Sequence, residues 1–156
     1  MLAIIGGSGF AHLANLEVTE RRVIRTPYGE PSGALIFGLL NGRQVVFLAR
    51  HGHGHTMPPH TVNYRANIWA LHSLQPSGVV AIASVGGLRP DLEPGTLVLP
   101  DQIIDYTHSR KGTFFEGREQ PVTHVDFTYP YSRALRQSCL RAAELAGVSL
   151  QLGGVY

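Results

Sequence analysis

One arginine and three histidines crowd into a single short run, Arg50-His51-Gly52-His53-Gly54-His55. The run follows the apolar stretch Val45-Val46-Phe47-Leu48-Ala49. That stretch reads as a buried strand, so the cluster falls just past its carboxyl end, where α/β sheets present their ligands. A guanidinium offers a planar fork of donors that fits a phosphate, and an imidazole beside it adds more. A second strand pattern, Leu2-Ala3-Ile4-Ile5, ends in Gly6-Gly7-Ser8-Gly9. Glycines there let backbone N–H groups approach an anion closely, and Ser8 adds a hydroxyl. A third apolar run, residues 79–85, closes in Ala83-Ser84-Val85-Gly86-Gly87, where the Ser84 N–H is placed to face an anion. Together the strand ends predict an enzyme that holds a phosphate between them.

Other chemistries compete for the same residues. The glycine loop is a poor dinucleotide fingerprint, because His12 stands where the third glycine belongs. Read alone, it and Ala83–Gly87 are simple strand-to-loop turns. Three histidines in five residues suit a metal. Arg50 would repel a divalent cation, however, and no His-Glu-x-x-His motif is present, so no metal is expected. Phosphohistidine phosphatases also carry Arg-His-Gly after a strand, with the histidine as nucleophile near the start of the domain. Here a glycine loop and a hairpin come first. His53 and His60 read as exposed loop residues.

The elements that would position these groups are legible in outline. Residues 2–7 and 21–25 are strand candidates, and 26–33 are a turn-rich loop. Residues 34–40 and 43–49 flank Asn41-Gly42, a strong signal for a type I′ hairpin. A helix is predicted over 61–75, with Val62, Ala66, Trp69 and Leu74 among good helix formers. The continuous apolar run at 79–85 predicts a strand buried on both faces. Residues 96–99 and 102–105 are strand-like around Pro100. Ser132 is a natural N-cap, Leu135, Cys139, Ala142 and Ala146 form one helical stripe, and Gly147 is a natural C-cap. The fold class is α/β with a mixed sheet. Gly153-Gly154-Val155-Tyr156 reads as the entrance to a strand, so the domain is expected to continue.

Bulk properties fit one domain of 156 residues, 44% apolar and 15% charged, with a net charge of +2. No basic stripe argues for nucleic acid. No apolar stretch reaches the ~20 residues of a membrane span, and no signal peptide is apparent. A single cysteine, Cys139, precludes an internal disulfide, reads as core filler, and points to a reducing cytoplasm.

Three motifs in order carry a family resemblance: Ile4-Ile5-Gly6-Gly7-Ser8-Gly9; the long run from Arg50-His51-Gly52 through His55-Thr56 to Val62-Asn63-Tyr64-Arg65-Ala66-Asn67-Ile68-Trp69-Ala70-Leu71; and Val85-Gly86-Gly87-Leu88 followed by Pro94-Gly95 and Asp101-Gln102-Ile103-Ile104-Asp105. The chain resembles methylthioadenosine phosphorylases and their purine nucleoside phosphorylase relatives, above all the bacterial S-methyl-5′-thioinosine group. The resemblance covers all of 1–156 but about two-thirds of the family's usual domain.

It implies a three-layer αβα nucleoside phosphorylase fold, one domain over 1–156 that is incomplete at its C-terminus, and a cytoplasmic homotrimer. It implies a pentosyltransferase of purine salvage, in which inorganic phosphate is a substrate and no cofactor is needed. Ser8, Arg50 and His51 match the phosphate-binding and catalytic positions. Ala83 and Ser84 match the pair at the third strand end, where other members carry Thr or Asn in place of Ala83. His55 matches a histidine near the ribose 5′ side. His124 matches a residue that reaches a neighbouring subunit's 5′ pocket. The residue that contacts the purine, and with it the choice between 6-oxo and 6-amino bases, lies beyond Tyr156 in the family. A non-catalytic phosphate-binding fragment remains the alternative from another class.

Overall fold

The computed structural model describes residues 1–7, 12–117 and 121–156. They form two compact units: Met1–Val85 with Arg110–Phe114, and Gly86–Ser109 with Phe115–Tyr156.

The first unit is built on a five-stranded mixed sheet. Its strands are β1 (Leu2–Gly6), β2 (Leu16–Arg22), β3 (Leu35–Leu40), β4 (Arg43–Ala49) and β5 (Val79–Ala81). Their spatial order is β2-β3-β4-β1-β5. β1 lies between β4 and β5 and is parallel to both. The hairpin β3–β4 turns at Asn41 (φ 49°) and Gly42 (φ 72°), the two positive φ values that a type I′ turn needs. Helix α1 (Tyr64–His72) follows a single 3₁₀ turn at Pro59–Thr61.

Alternation along the strands divides the core between two faces. Ala3, Ile5, Leu35, Val46 and Leu48 pack with Ala70 and Leu71 of α1. Ile4, Ile36, Val45, Phe47 and Ala49 form the opposite cluster. β4 is therefore buried continuously from Val45 to Ala49, as its unbroken apolar run predicts.

Several expectations are corrected. The second strand is Leu16–Arg22, not 21–25. Pairing with β3 sets its length, from Leu16↔Leu40 to Arg22↔Leu35, and the Val23-Ile24 propensity adds nothing without a partner. The helix expected over 61–75 is shorter. Pro58-Pro59 opens a 3₁₀ turn, and Asn63 caps α1 by accepting the Ala66 N–H at 3.1 Å. The strand expected over 79–85 stops at Ala81 and lies at the sheet edge, with Val79 38% exposed. Its ladder with β1 runs from Ala3↔Val79 to Ile5↔Ala81, and β1 itself ends at Gly6, so the strand ends with that ladder.

The second unit holds β6 (Val98–Leu99), α2 (Arg133–Ala146) and β7 (Gln151–Leu152). β6 and β7 pair in parallel. Residues 102–105 form no strand; Gln102 instead makes an isolated parallel bridge to Val155, just after the Gly153-Gly154 pair. The caps of α2 are those the sequence predicts. Ser132 accepts from the Leu135 N–H at 3.3 Å, and Gly147 closes the helix at φ 65°. The inward stripe differs: Leu135 and Cys139 are half-buried together with Arg136, Leu140 and Ala143, whereas Ala142 and Ala146 are exposed. No helix among the described residues is long and apolar enough to cross a membrane.

Candidate functional site

The parallel trio β4-β1-β5 brings three strand ends side by side. The Arg50 N–H donates to the Gly6 carbonyl at 2.9 Å, and the Ile82 N–H donates to the Ile5 carbonyl at 2.9 Å. Thus the start of the glycine loop, the Arg50-His51 pair and the Ile82-Ala83-Ser84 segment leave the sheet at one edge. Arg50 and Ala83 are half-buried and Ser84 is exposed.

Arg50 reaches across to the glycine loop. A Cβ built on Gly7 would overlap the Arg50 guanidinium and lie 2.8 Å from the Ile82 carbonyl oxygen. Gly7 is therefore the residue at which all three strand ends meet, and only a residue without a side chain fits there. Ser8, expected to supply a hydroxyl, lies outside the described residues.

His51 is 7% exposed, and its Nδ1 lies 2.9 Å from the Met57 carbonyl oxygen. A carbonyl only accepts, so Nδ1 carries the proton. The remaining nitrogen, Nε2, accepts when the ring is neutral and donates when it is cationic. The Met57 N–H returns a bond of 2.9 Å to the His51 carbonyl. Residues 51–57 are thus a closed loop. Gly52 (φ 75°), Gly54 (φ 78°) and His55 (φ 57°) make its sharp turns. The His55 ring lies against His51, with centroids 4.8 Å apart at 44°. His53 and His60 are exposed, as expected. His124 belongs to the second unit and is exposed there.

Two residues that the sequence reading left without a role of their own tie α1 to the loop over 26–33. Asn67, on the buried face of α1, is 2% exposed. Its Oδ1 accepts the Ser32 N–H at 2.7 Å, and its Nδ2 donates to Ser32 Oγ at 2.9 Å. The available signal was a polar residue in register with Ala66 and Ala70 on an otherwise apolar helix face. Asn63 acts similarly, donating from Nδ2 to the Tyr28 carbonyl at 2.7 Å while it caps α1. Nothing in the sequence marked Met57.

Half-buried donors and glycine-bordered backbone at one sheet edge suit an oxyanion. Comparisons with known proteins bear on the family. A probable S-methyl-5′-thioinosine phosphorylase from Xanthomonas campestris pv. campestris is 48% identical over 155 residues, which are 99% of this chain and 62% of that protein. An S-methyl-5′-thioadenosine phosphorylase from Hyperthermus butylicus is also 48% identical, over 99% of this chain and 56% of that protein. Among solved structures, methylthioadenosine phosphorylase from Schistosoma mansoni in complex with tubercidin superposes with a TM-score of 0.93 at 32% identity, covering 99% of this chain and 62% of that one. The chain thus spans about three-fifths of the length of such relatives. Residues 1–156 match the model of the phosphorylase superfamily throughout, and the chain belongs to that family.

Proposed function

We propose that this chain carries the phosphate site of a purine nucleoside phosphorylase acting on 5′-methylthioinosine or 5′-methylthioadenosine. The observation that carries this reading is the meeting of the Arg50 guanidinium with Gly7 and the Ile82 carbonyl at three parallel strand ends. The Xanthomonas and Hyperthermus relatives, named for methylthioinosine and methylthioadenosine, support the substrate class. The match to the phosphorylase superfamily over the whole chain removes the ground for reading His51 as a phosphatase nucleophile.

In the proposed reaction a phosphate oxygen attacks the anomeric carbon of the sugar. The bond from that carbon to the purine breaks, and its electron pair leaves with the base, which takes up a proton in balance with the one that the hydrogen phosphate dianion gives up. The products are a free purine and (5-methylthio)ribose 1-phosphate. The sugar develops positive charge as the purine departs, and the phosphate dianion next to it stabilises that charge. The protein's work here is placement: Arg50, His51 and the backbone at Ala83-Ser84 hold the nucleophile in position, with Ser8 in the same role. His55, against His51, would edge the 5′ side of the sugar, and His124 would reach the same subsite in a neighbouring copy of a homotrimer. The enzyme would act in purine salvage in the cytoplasm, as one phosphorylase domain with phosphate as co-substrate and no further cofactor.

The test is base release from 5′-methylthioinosine and 5′-methylthioadenosine with inorganic phosphate. Arg50→Ala is expected to lose several powers of ten in phosphate-dependent turnover, about 3–5 kcal/mol of transition-state stabilisation. An R50A protein with unchanged affinity for phosphate would overturn the assignment.

A further inference from the structure

We propose that Asn67 is a positioning residue for the phosphate loop and acts through Ser32. The idea rests on the phosphate reading of Arg50 and His51. A buried amide on a helix face otherwise made of Ala66, Ala70 and Leu71 is costly unless its polar atoms are satisfied. Asn67 satisfies them on one residue, 35 positions earlier in the chain: it accepts the Ser32 N–H at 2.7 Å and donates to Ser32 Oγ at 2.9 Å. Ser32 is itself 7% exposed. The reciprocal pair fixes both the backbone and the side chain of Ser32 against α1.

Ser32 in turn lies against the phosphate loop. A Cβ built on Gly52 would stand 3.3 Å from the Ser32 carbonyl oxygen, and one built on Gly33 would stand 3.6 Å from His53 Cδ2. Segment 32–33 is thus the wall on which loop 51–57 rests. That loop holds His51 by the Nδ1–H bond to the Met57 carbonyl. The path from α1 to the anion donors is Asn67, Ser32, Gly52, then Arg50 and His51. An alanine at 67 would pack well beside Ala66 and Ala70, yet the wall would lose its anchor. The amide trades helix packing for the placement of a loop, and preorganised donors need such support.

The experiment compares Asn67→Ala and Ser32→Ala with Val45→Ala, a variant that destabilises the opposite face of the sheet, where Val45 packs with Phe47. Each purified chain is titrated with inorganic phosphate by calorimetry, its melting temperature is measured, and the exchange of the His51 Nδ1 proton is followed by NMR. N67A and S32A are expected to raise the phosphate Kd about tenfold or more and to speed His51 Nδ1–H exchange. V45A should lower the melting temperature comparably and leave both readings unchanged. Equal phosphate Kd and proton protection in N67A, S32A and wild type would overturn the proposal. So would a V45A variant that weakens phosphate binding as much as N67A. Should N67A or S32A fail to fold, Ser32→Thr, which keeps the hydroxyl, against Ser32→Val, which lacks it, makes the same comparison. Failure of the phosphate reading has a different signature: wild type and R50A would bind phosphate equally, while the His51 proton would still respond to Ser32.

Discussion

The Arg50 guanidinium occupies the space that a side chain on Gly7 would fill. This one contact joins the ends of β1 and β4, and the Ile82 carbonyl brings in the end of β5. Gly7→Ala must therefore displace the flexible guanidinium, and it also crowds the Ile82 backbone carbonyl at 2.8 Å, so the strand ends must shift as well. Phosphate affinity measured by calorimetry is expected to fall about tenfold or more, which corresponds to ~1.4 kcal/mol. Unchanged affinity in G7A would show that Arg50 does not need its present position.

Replacing Arg50 by lysine separates charge from shape. Lysine keeps the positive charge and loses the planar fork that meets two phosphate oxygens at once. The Kd of R50K for phosphate should lie between those of wild type and R50A, with a weakening of about tenfold from wild type. A value equal to wild type would mean that Arg50 acts as a point charge alone.

His51 has two ring nitrogens with separate tasks. Nδ1–H is held by the Met57 carbonyl, which leaves Nε2 for the anion. An asparagine amide overlays the Nδ1 position and a glutamine amide the Nε2 position. His51→Asn should keep a melting temperature near wild type and lose phosphate affinity. His51→Gln should keep more of the affinity and lose the loop bond, at about 1 kcal/mol of stability. The reverse pattern would place Nδ1, not Nε2, at the ligand.

Much of this site is legible in the chain because it is local. Apolar runs end in glycine or in Arg-His, and strand ends are where such residues do chemistry. The hairpin at Asn41-Gly42 is equally local. What the sequence conceals is non-local. The early stop of β5 depends on the length of its neighbour β1, and the extent of β2 depends on β3. The Asn67–Ser32 pair spans 35 positions, and no periodicity predicts which buried amide finds which partner. The inward stripe of α2 runs through Arg136 and Leu140 where Ala142 and Ala146 were expected, because small residues suit either face of a helix equally well.

The hairpin turn allows a clean measurement of backbone strain. Gly42 sits at φ 72°, and a Cβ there would meet nothing within 4 Å. Gly42→Ala therefore carries no clash and reports only the cost of left-handed backbone in an L-residue, about 1–2 kcal/mol. The melting temperature should fall by roughly 2–8 °C. Phosphate affinity should not change, since the turn lies at the opposite end of β4 from Arg50. A G42A chain as stable as wild type would contradict the type I′ geometry.

Asp126 gives a pH-dependent test near His124. Its Oδ1 accepts from Thr128 Oγ1 at 2.6 Å and from the Thr128 N–H at 2.9 Å. The hydroxyl bond first, and the backbone bond second, hold the carboxyl below the ordinary aspartate range. Both bonds favour the ionised form. The folded state therefore binds this proton less readily than the unfolded chain. The turn's contribution is complete above the unfolded-state pKa of aspartate and is lost as the pH falls through the lower, folded-state value. Because the group is fully exposed, the readout is its own titration and not the global melting temperature. Carboxyl ¹³C NMR should place the Asp126 midpoint below that of an unstructured aspartate. Thr128→Val, which removes the hydroxyl and keeps the N–H, should move the midpoint part of the way back. A midpoint that does not respond to T128V would mean that the turn two residues after His124 is not held by this bond in solution.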